Sequence, residues 1–353
     1  MKLKLTLLLV TIAMLCKAQP SKMEQLGKLY MSGNLKETIN RADEYLEEEP
    51  ENIDYILILG RALTDYGEYN KAIPHLKYTV ENDPHNSWRK AWALGYLGSC
   101  YYMISEHEKS KKVLKDCVEF NATSNATNYA TNRFLQFGYH KFFDDWTMIE
   151  SDNFKFHFQK MDEMDAKSYA DSREEAFIEI NKFFNTELPK KIDFFVWDSR
   201  ADAKMVLRAE LGFANPFFCI IHSHFQQTRG HEMTHVISNF LEKEIVKTSL
   251  INEGTAVCFN LANQDKEAIV KKWLEKNEEE KIDIKAMWLY WQEYPQEISY
   301  PMAGIFVEQL IETFGKEKFL TFFVDQRYEH AKEVFGEEID VIIQNLEDKF
   351  NQK

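Results

Sequence analysis

His231-Glu232-Met233-Thr234-His235 is the stretch on which the reading of this 353-residue chain turns. On an α-helix, residues four apart stand nearly one above the other, so one cation can touch both imidazoles. The glutamate between them projects to the side of that pair, within reach of a water on the cation. Met233, Val236, Ile237, Phe240 and Leu241 fall at helical spacing opposite the histidines. One face of this helix should pack on a core while the other opens to a cleft.

Two histidines need a companion ligand, and Asn252-Glu253-Gly254 supplies it. Thr248 and Ser249 are N-cap candidates for a second helix, with Leu250, Ile251, Ala256, Val257 and Phe259 as its apolar part. Glu253, one turn in, completes a set of His231, His235 and Glu253 with a fourth position left for water, which points to Zn2+ as the cofactor. A purely structural zinc is disfavoured, because closed sites use four protein ligands and commonly cysteine.

An apolar content of 44% and 26 phenylalanines predict packed cores, and the length suits two domains. The formal charge is −14, without a long basic run, which argues against a nucleic-acid partner. Residues 1–18 read as a signal peptide: Lys2 and Lys4 precede an apolar core from Leu5 to Leu15, then Cys16-Lys17-Ala18 offers a cleavage site. The apolar run is short of the ~20 residues of a transmembrane segment. The chain is therefore expected to be exported, to a periplasm or the extracellular space. Lipid anchoring at Cys16 is the weaker alternative, since Leu15 stands where a lipoprotein signal carries a small residue. Cys100, Cys117, Cys219 and Cys258 form no CxxC pair; their spacing names no bridge, and buried free thiols are the simpler expectation.

Residues 21–120 repeat. Gly33-Asn34-Leu35-Lys36-Glu37-Thr38 recurs after 34 residues as Gly67-Glu68-Tyr69-Asn70-Lys71-Ala72. After a further 38 it recurs as Ser105-Glu106-His107-Glu108-Lys109-Ser110, as if four residues were inserted near Trp88. Pro50 and Pro84 keep the spacing of 34. Such a period with helix–turn–helix patterning resembles the tetratricopeptide family. The resemblance implies a solenoid whose concave face takes a peptide or protein partner, although a helical spacer that binds nothing would have the same pattern.

The polar run at 121–128 reads as a loop, and residues 121–150 as a linker rich in aromatics toward its end. From Ser151 the pattern changes. Phe154-Lys155-Phe156-His157-Phe158 alternates as a strand, 163–185 reads as a helix, and Ile192–Trp197 as a buried strand. A helix near 199–210 and a strand at Phe217–His222 lead into the histidine helix; beyond 260 the chain reads as helix, broken near Pro295 and Gly315. The expected fold is a helical repeat solenoid followed, over 151–353, by an α+β domain with a small mixed sheet and a helical C-terminal half.

His231-Glu-Met-Thr-His235 with Asn252-Glu253-Gly254 resembles the gluzincin zinc metallopeptidases. By that resemblance His231, His235 and Glu253 bind zinc, Glu232 is the catalytic base, and Phe217–His222 is an edge strand that pairs with a peptide substrate. Tyr300, followed by Ala303, Leu310 and Gly315, matches the aminopeptidase branch, where such a tyrosine hydrogen-bonds the oxyanion. Tyr290 and Tyr294 compete for that role. Gly212-Phe-Ala-Asn-Pro216 departs from that branch because it lacks the acid that grips a free amine, so endopeptidase action is favoured. Asn252 could orient a ligand, and His222 and His224 are expected to line the cleft or the surface. The expected activity is zinc-dependent peptide hydrolysis, with the repeats recruiting substrate or partner. The alternative is a repeat-based binding protein whose peptidase-like domain is silent.

Overall fold

The computed structural model describes residues 20–85 and 87–352, so the expected signal peptide and Cys16 lie outside the described residues. The chain is mostly helical with one small mixed sheet. It divides into two compact units, one running up to Ala130 and the other from Thr131. Among the described residues no helix is long and apolar enough to cross a membrane.

Three helical hairpins build the first unit: α1 (Lys22–Met31) with α2 (Leu35–Glu48), α3 (Ile53–Asp65) with α4 (Tyr69–Asn82), and α5 (Trp88–Met103) with α6 (His107–Phe120). The recurring hexapeptides open on the turns within these hairpins. Gly33, Gly67 and Ser105 share a left-handed backbone, with φ of 78°, 85° and 63°. Each closes its helix in the same way: Gly67 N–H donates to Thr64 O, and the next N–H, of Glu68, reaches back to Leu63 O. This double closure satisfies carbonyls that a helix end leaves unpaired. The four extra residues of the third copy are accounted for by α5, which has 16 residues to the 13 of α3, and by one more residue in the preceding connection.

The run expected as a loop at 121–128 is instead helical from Ser124, in α7 (Ser124–Gln136). Thr123 Oγ1 accepts from Ala126 N–H at 3.3 Å and so carries the first turn. Ala126 and Ala130 are fully buried, and that burial outweighs the weak helix propensity of Asn, Thr and Ser.

The second unit carries five strands: β1 (Thr147–Glu150), β2 (Phe154–Phe158), β3 (Ile192–Trp197), β4 (Phe213–Asn215) and β5 (Ile220–His224). Their order is β1-β2-β3-β5-β4; the three central strands are parallel and the two edges antiparallel. The expected strands at 154–158 and 192–197 are present, and the helix expected over 163–185 is α8 (Glu163–Phe184). The period of two divides the sheet cleanly. Phe154, Phe156, Phe158, Phe194, Val196 and Ile221 share a core with α8. On the other face His157, Phe195 and His222 stand opposite one another in register and stack with ring centroids 4.4 Å apart. There the aromatics of 137–146 cover the sheet, with Phe142 stacked on Trp197 and Phe137 edge-on to Phe218.

Phe217–His222 is not the edge strand that the resemblance implied. Pro216–Phe218 forms a 3-10 turn and Cys219 turns left-handed at φ 51°, so the strand begins only at Ile220. The edge is β4, the Phe213–Asn215 segment, antiparallel to β5.

After β5 the chain is helical: α10 (His231–Ser238), α11 (Ser249–Cys258), α12 (Lys266–Lys276), α13 (Ile284–Leu289), α14 (Gln296–Phe314), α15 (Lys316–Phe323), α16 (Tyr328–Phe335) and α17 (Glu338–Asn351), with α9 (Arg200–Leu207) earlier. The expected breaks fall where α14 starts after Pro295 and where Gly315 ends it. A second core of Leu250, Ile251, Met302, Phe306, Phe319 and their neighbours holds this half together.

Candidate metal centre

The apolar stripe decides how α10 sits. Met233, Val236 and Ile237 are buried in the core beneath the sheet, which turns His231 and His235 the other way. The start of α10 is tied to the end of α11, since Gly230 N–H donates to Asn260 O at 3.2 Å. Any Cβ at residue 230 would collide with Phe259 O. α11 in turn lies against α14 with almost nothing between them: a Cβ on Gly254 would meet Ala303 O at 2.5 Å. These backbone contacts bring Glu253 under the two imidazoles and Tyr300 alongside them.

His231 Nε2 and His235 Nε2 each lie 3.4 Å from Glu253 Oε2. The candidate ligand atoms of all three residues fall within 4.8 Å of one another, and among the described residues this is the one such cluster able to hold a metal ion. At bonds of ~2.0–2.1 Å, the ligands of a tetrahedral cation stand roughly 3.3–3.4 Å apart, so the donor spacing fits one. A second observation concerns Asn252. Its Nδ2 lies 3.2 Å from His235 Nδ1, while its buried Oδ1 has no hydrogen-bond partner. A half-turn of the amide would let Oδ1 accept from Nδ1–H, leaving the Nε2 lone pair for a cation. The sequence expectation for Asn252 as an orienting residue therefore has a geometric basis.

The electrostatics follow from burial and this convergence. Burial alone would raise the Glu253 pKa, yet the ring nitrogens of His231 and His235 beside it hold it well below the usual carboxylate range. Burial works to lower His231, but Glu253 and the charge of Glu232 raise it above its ordinary value. Glu232 is itself raised by burial, against the pull of the two histidines. A backbone hydrogen bond from Ala214, in the edge strand, steadies its carboxylate. Tyr300 is pushed up to about 12 by burial and by the charges of Glu253 and Glu232, so its hydroxyl stays protonated.

These groups open on a cleft of about 350 Å³ lined also by Gly212, Phe213, Pro216 and Lys247. Of the competing tyrosines, Tyr300 is the one on the cleft; its ring lies 6.1 Å from His231 and 5.5 Å from Trp291. Tyr290 is exposed and Tyr294 packs on the helical core.

His222 and His224 do not line the cleft or the surface. Both are buried; His222 Nδ1 accepts from Trp197 Nε1 at 3.1 Å, its Nε2 faces Gln136 O at 3.0 Å, and burial lowers its pKa to about 3. Sequence reasoning missed Lys247 and Ala214. Lys247 stands six residues before Glu253, close enough in sequence to have been considered. Ala214 has no chemical signature, since only its backbone acts. Cys100, Cys117, Cys219 and Cys258 are free thiols. No protein-family model and no curated protein matches the chain.

Proposed function

We propose that this chain is an exported zinc-dependent metallopeptidase of the gluzincin type, with tetratricopeptide-like repeats that recruit substrate or a partner. The observation that carries the reading is the approach of both His231 and His235 Nε2 to one oxygen of Glu253, with Glu232 and Tyr300 lining the same cleft. Zinc is the ion to which two imidazoles, one carboxylate and an open fourth position are suited; bound there, it supplies a Lewis acid and lowers the pKa of its water.

The chain's own residues then divide the work. Glu232, with a pKa raised by burial above the usual carboxylate value, takes the proton of the attacking water and passes it to the departing amine. Tyr300, protonated at neutral pH, donates its hydroxyl hydrogen to the carbonyl oxygen as negative charge develops there. Asn252 holds His235 in the orientation its ligand role requires. The short edge strand β4 lies beside the reacting groups, a position that suits an extended peptide. Glu232 and Glu253, the acids lining the cleft, are both occupied in this scheme, which favours an endopeptidase over an enzyme that grips a free amine.

Metal analysis with chelator-sensitive cleavage of an unstructured protein tests the reading. Glu232→Gln should retain one zinc per chain and lose ~10²–10⁴-fold in turnover. Undiminished turnover would remove Glu232 from the mechanism, and a metal-free, inactive wild-type protein would leave only the binding-protein alternative.

A further inference from the structure

Lys247 lines the cleft and has no part in the reaction above. Its place in the backbone is fixed on both sides. Val246 N–H donates to Val324 O at 3.0 Å and Val246 O accepts from Gln326 N–H at 2.8 Å. Thr248 N–H donates to the side chain of the fully buried Gln326 at 2.9 Å. The lysine is thus presented from a clamped segment rather than from a free loop. Its Nζ donates to Asn239 Oδ1 at 2.8 Å, a neutral partner at the end of α10.

Charge balance in the loaded cleft isolates this side chain. A divalent ion held there would be offset by the carboxylates of Glu232 and Glu253, with His231 and His235 neutral as ligands and Tyr300 an ordinary neutral phenol. The ammonium of Lys247 is then the uncompensated charge. Among the described residues no other lysine or arginine lines this cleft, and Phe213, Ala214 and Pro216 give it an apolar part. The chain as a whole is at −14, so an anionic ligand is not drawn in by the general field, and any preference for one must arise inside the cleft.

Resting on the peptidase reading above, we infer that Lys247 is the specificity-determining residue of this cleft. It selects peptides that carry a carboxylate beside the bond to be cut, either an acidic side chain or a free C-terminus. An ammonium–carboxylate hydrogen bond is stronger than a neutral one.

The test uses full-length, zinc-loaded Glu232→Gln protein as a non-turning-over binder. Labelled peptides that differ by Glu or Gln at each position are titrated with a free or an amidated C-terminus. The expected result is a preference of about ten-fold for the carboxylate-bearing member. That preference should fall to none in an added Lys247→Met, survive in Lys247→Arg and reverse in Lys247→Glu. A preference that follows amidation identifies the C-terminus as the source; one that follows Glu against Gln identifies a side chain. Equal binding of all members, or a preference that persists in Lys247→Met, overturns the inference. Cleavage by the wild-type protein separates the two ideas. Peptides cut without dependence on Lys247 defeat the inference and leave the peptidase reading standing. Binding that depends on Lys247 with no cleavage does the opposite.

Discussion

On the two faces of the one sheet, histidine meets carboxylate in two different ways. On the face covered by residues 137–146, Asp193 is almost fully buried. It is held by His157 Nε2 at 2.9 Å and by the equally buried Lys190 Nζ at 2.7 Å. Both ring nitrogens of the neighbouring His222 have partners in the protein. On the opposite side, beyond the core, His231 and His235 share a single oxygen of Glu253 at 3.4 Å, and Asn252 Oδ1 lacks a partner. A good N–H···O bond is ~2.7–3.2 Å, so 3.4 Å is loose for hydrogen bonding while it suits donors shared around a cation. Residue type does not separate a structural histidine from a candidate ligand. What separates them is whether the protein itself satisfies the ring.

The contrast can be broken most severely at His235. His235→Ala should abolish zinc binding and with it all hydrolysis, read as metal per chain falling from one to near zero. Full zinc occupancy in that variant would contradict the ligand assignment.

The complementary change on the other face should act on stability alone. Asp193→Asn keeps the shape but strips Lys190 of its buried counter-charge, at a cost of about 3 kcal/mol. The denaturation midpoint should drop while zinc content per folded chain stays the same. A loss of zinc would show that the two faces are coupled.

The mildest probe is pH. His231 is raised above its ordinary 6.5, so a proton competes with the metal at higher pH than it would for an exposed histidine. Zinc affinity should begin to weaken above pH 6.5 and continue to fall as the pH drops. In the metal-free protein the sign is opposite for stability: the raised His231 contributes most below 6.5 and its contribution is lost as pH rises through the native value. Asp193 is held far below the usual carboxylate range, with Lys190 and His157 overcoming its burial, so it stays ionised over the same interval. Dialysis from pH 8 to 5.5 should therefore remove zinc while Lys190 keeps its charged partner, measured by metal content alongside near-UV circular dichroism.

Much of this site could be read from the sequence because its signals are local. The spacing of His231 and His235 and the alternation of Phe154, Phe156 and Phe158 each lie within a few residues, and Glu253 lies no further off than the next helix. The turns at Gly33 and Gly67 were equally legible, and Ser105 occupies the same backbone state by repetition despite its side chain. What escaped was set by backbone geometry and by tertiary partners, which side-chain pattern does not reveal. The three residues of β4 are a strand only because β5 pairs with them. Cys219 breaks an apolar run through its backbone, which composition does not announce. His222 looked like a residue beside a cleft because nothing in the chain around it announces Trp197 and Gln136 as its partners.

The contact of Gly254 with Ala303 O has a bearing on movement. Where two helices touch backbone to backbone, no side chain remains between them to repack, so sliding one past the other is resisted at once. Glu253 and Tyr300 are then parts of one stiff block, and any breathing of the cleft falls to the short edge strand Phe213–Asn215 on its rim.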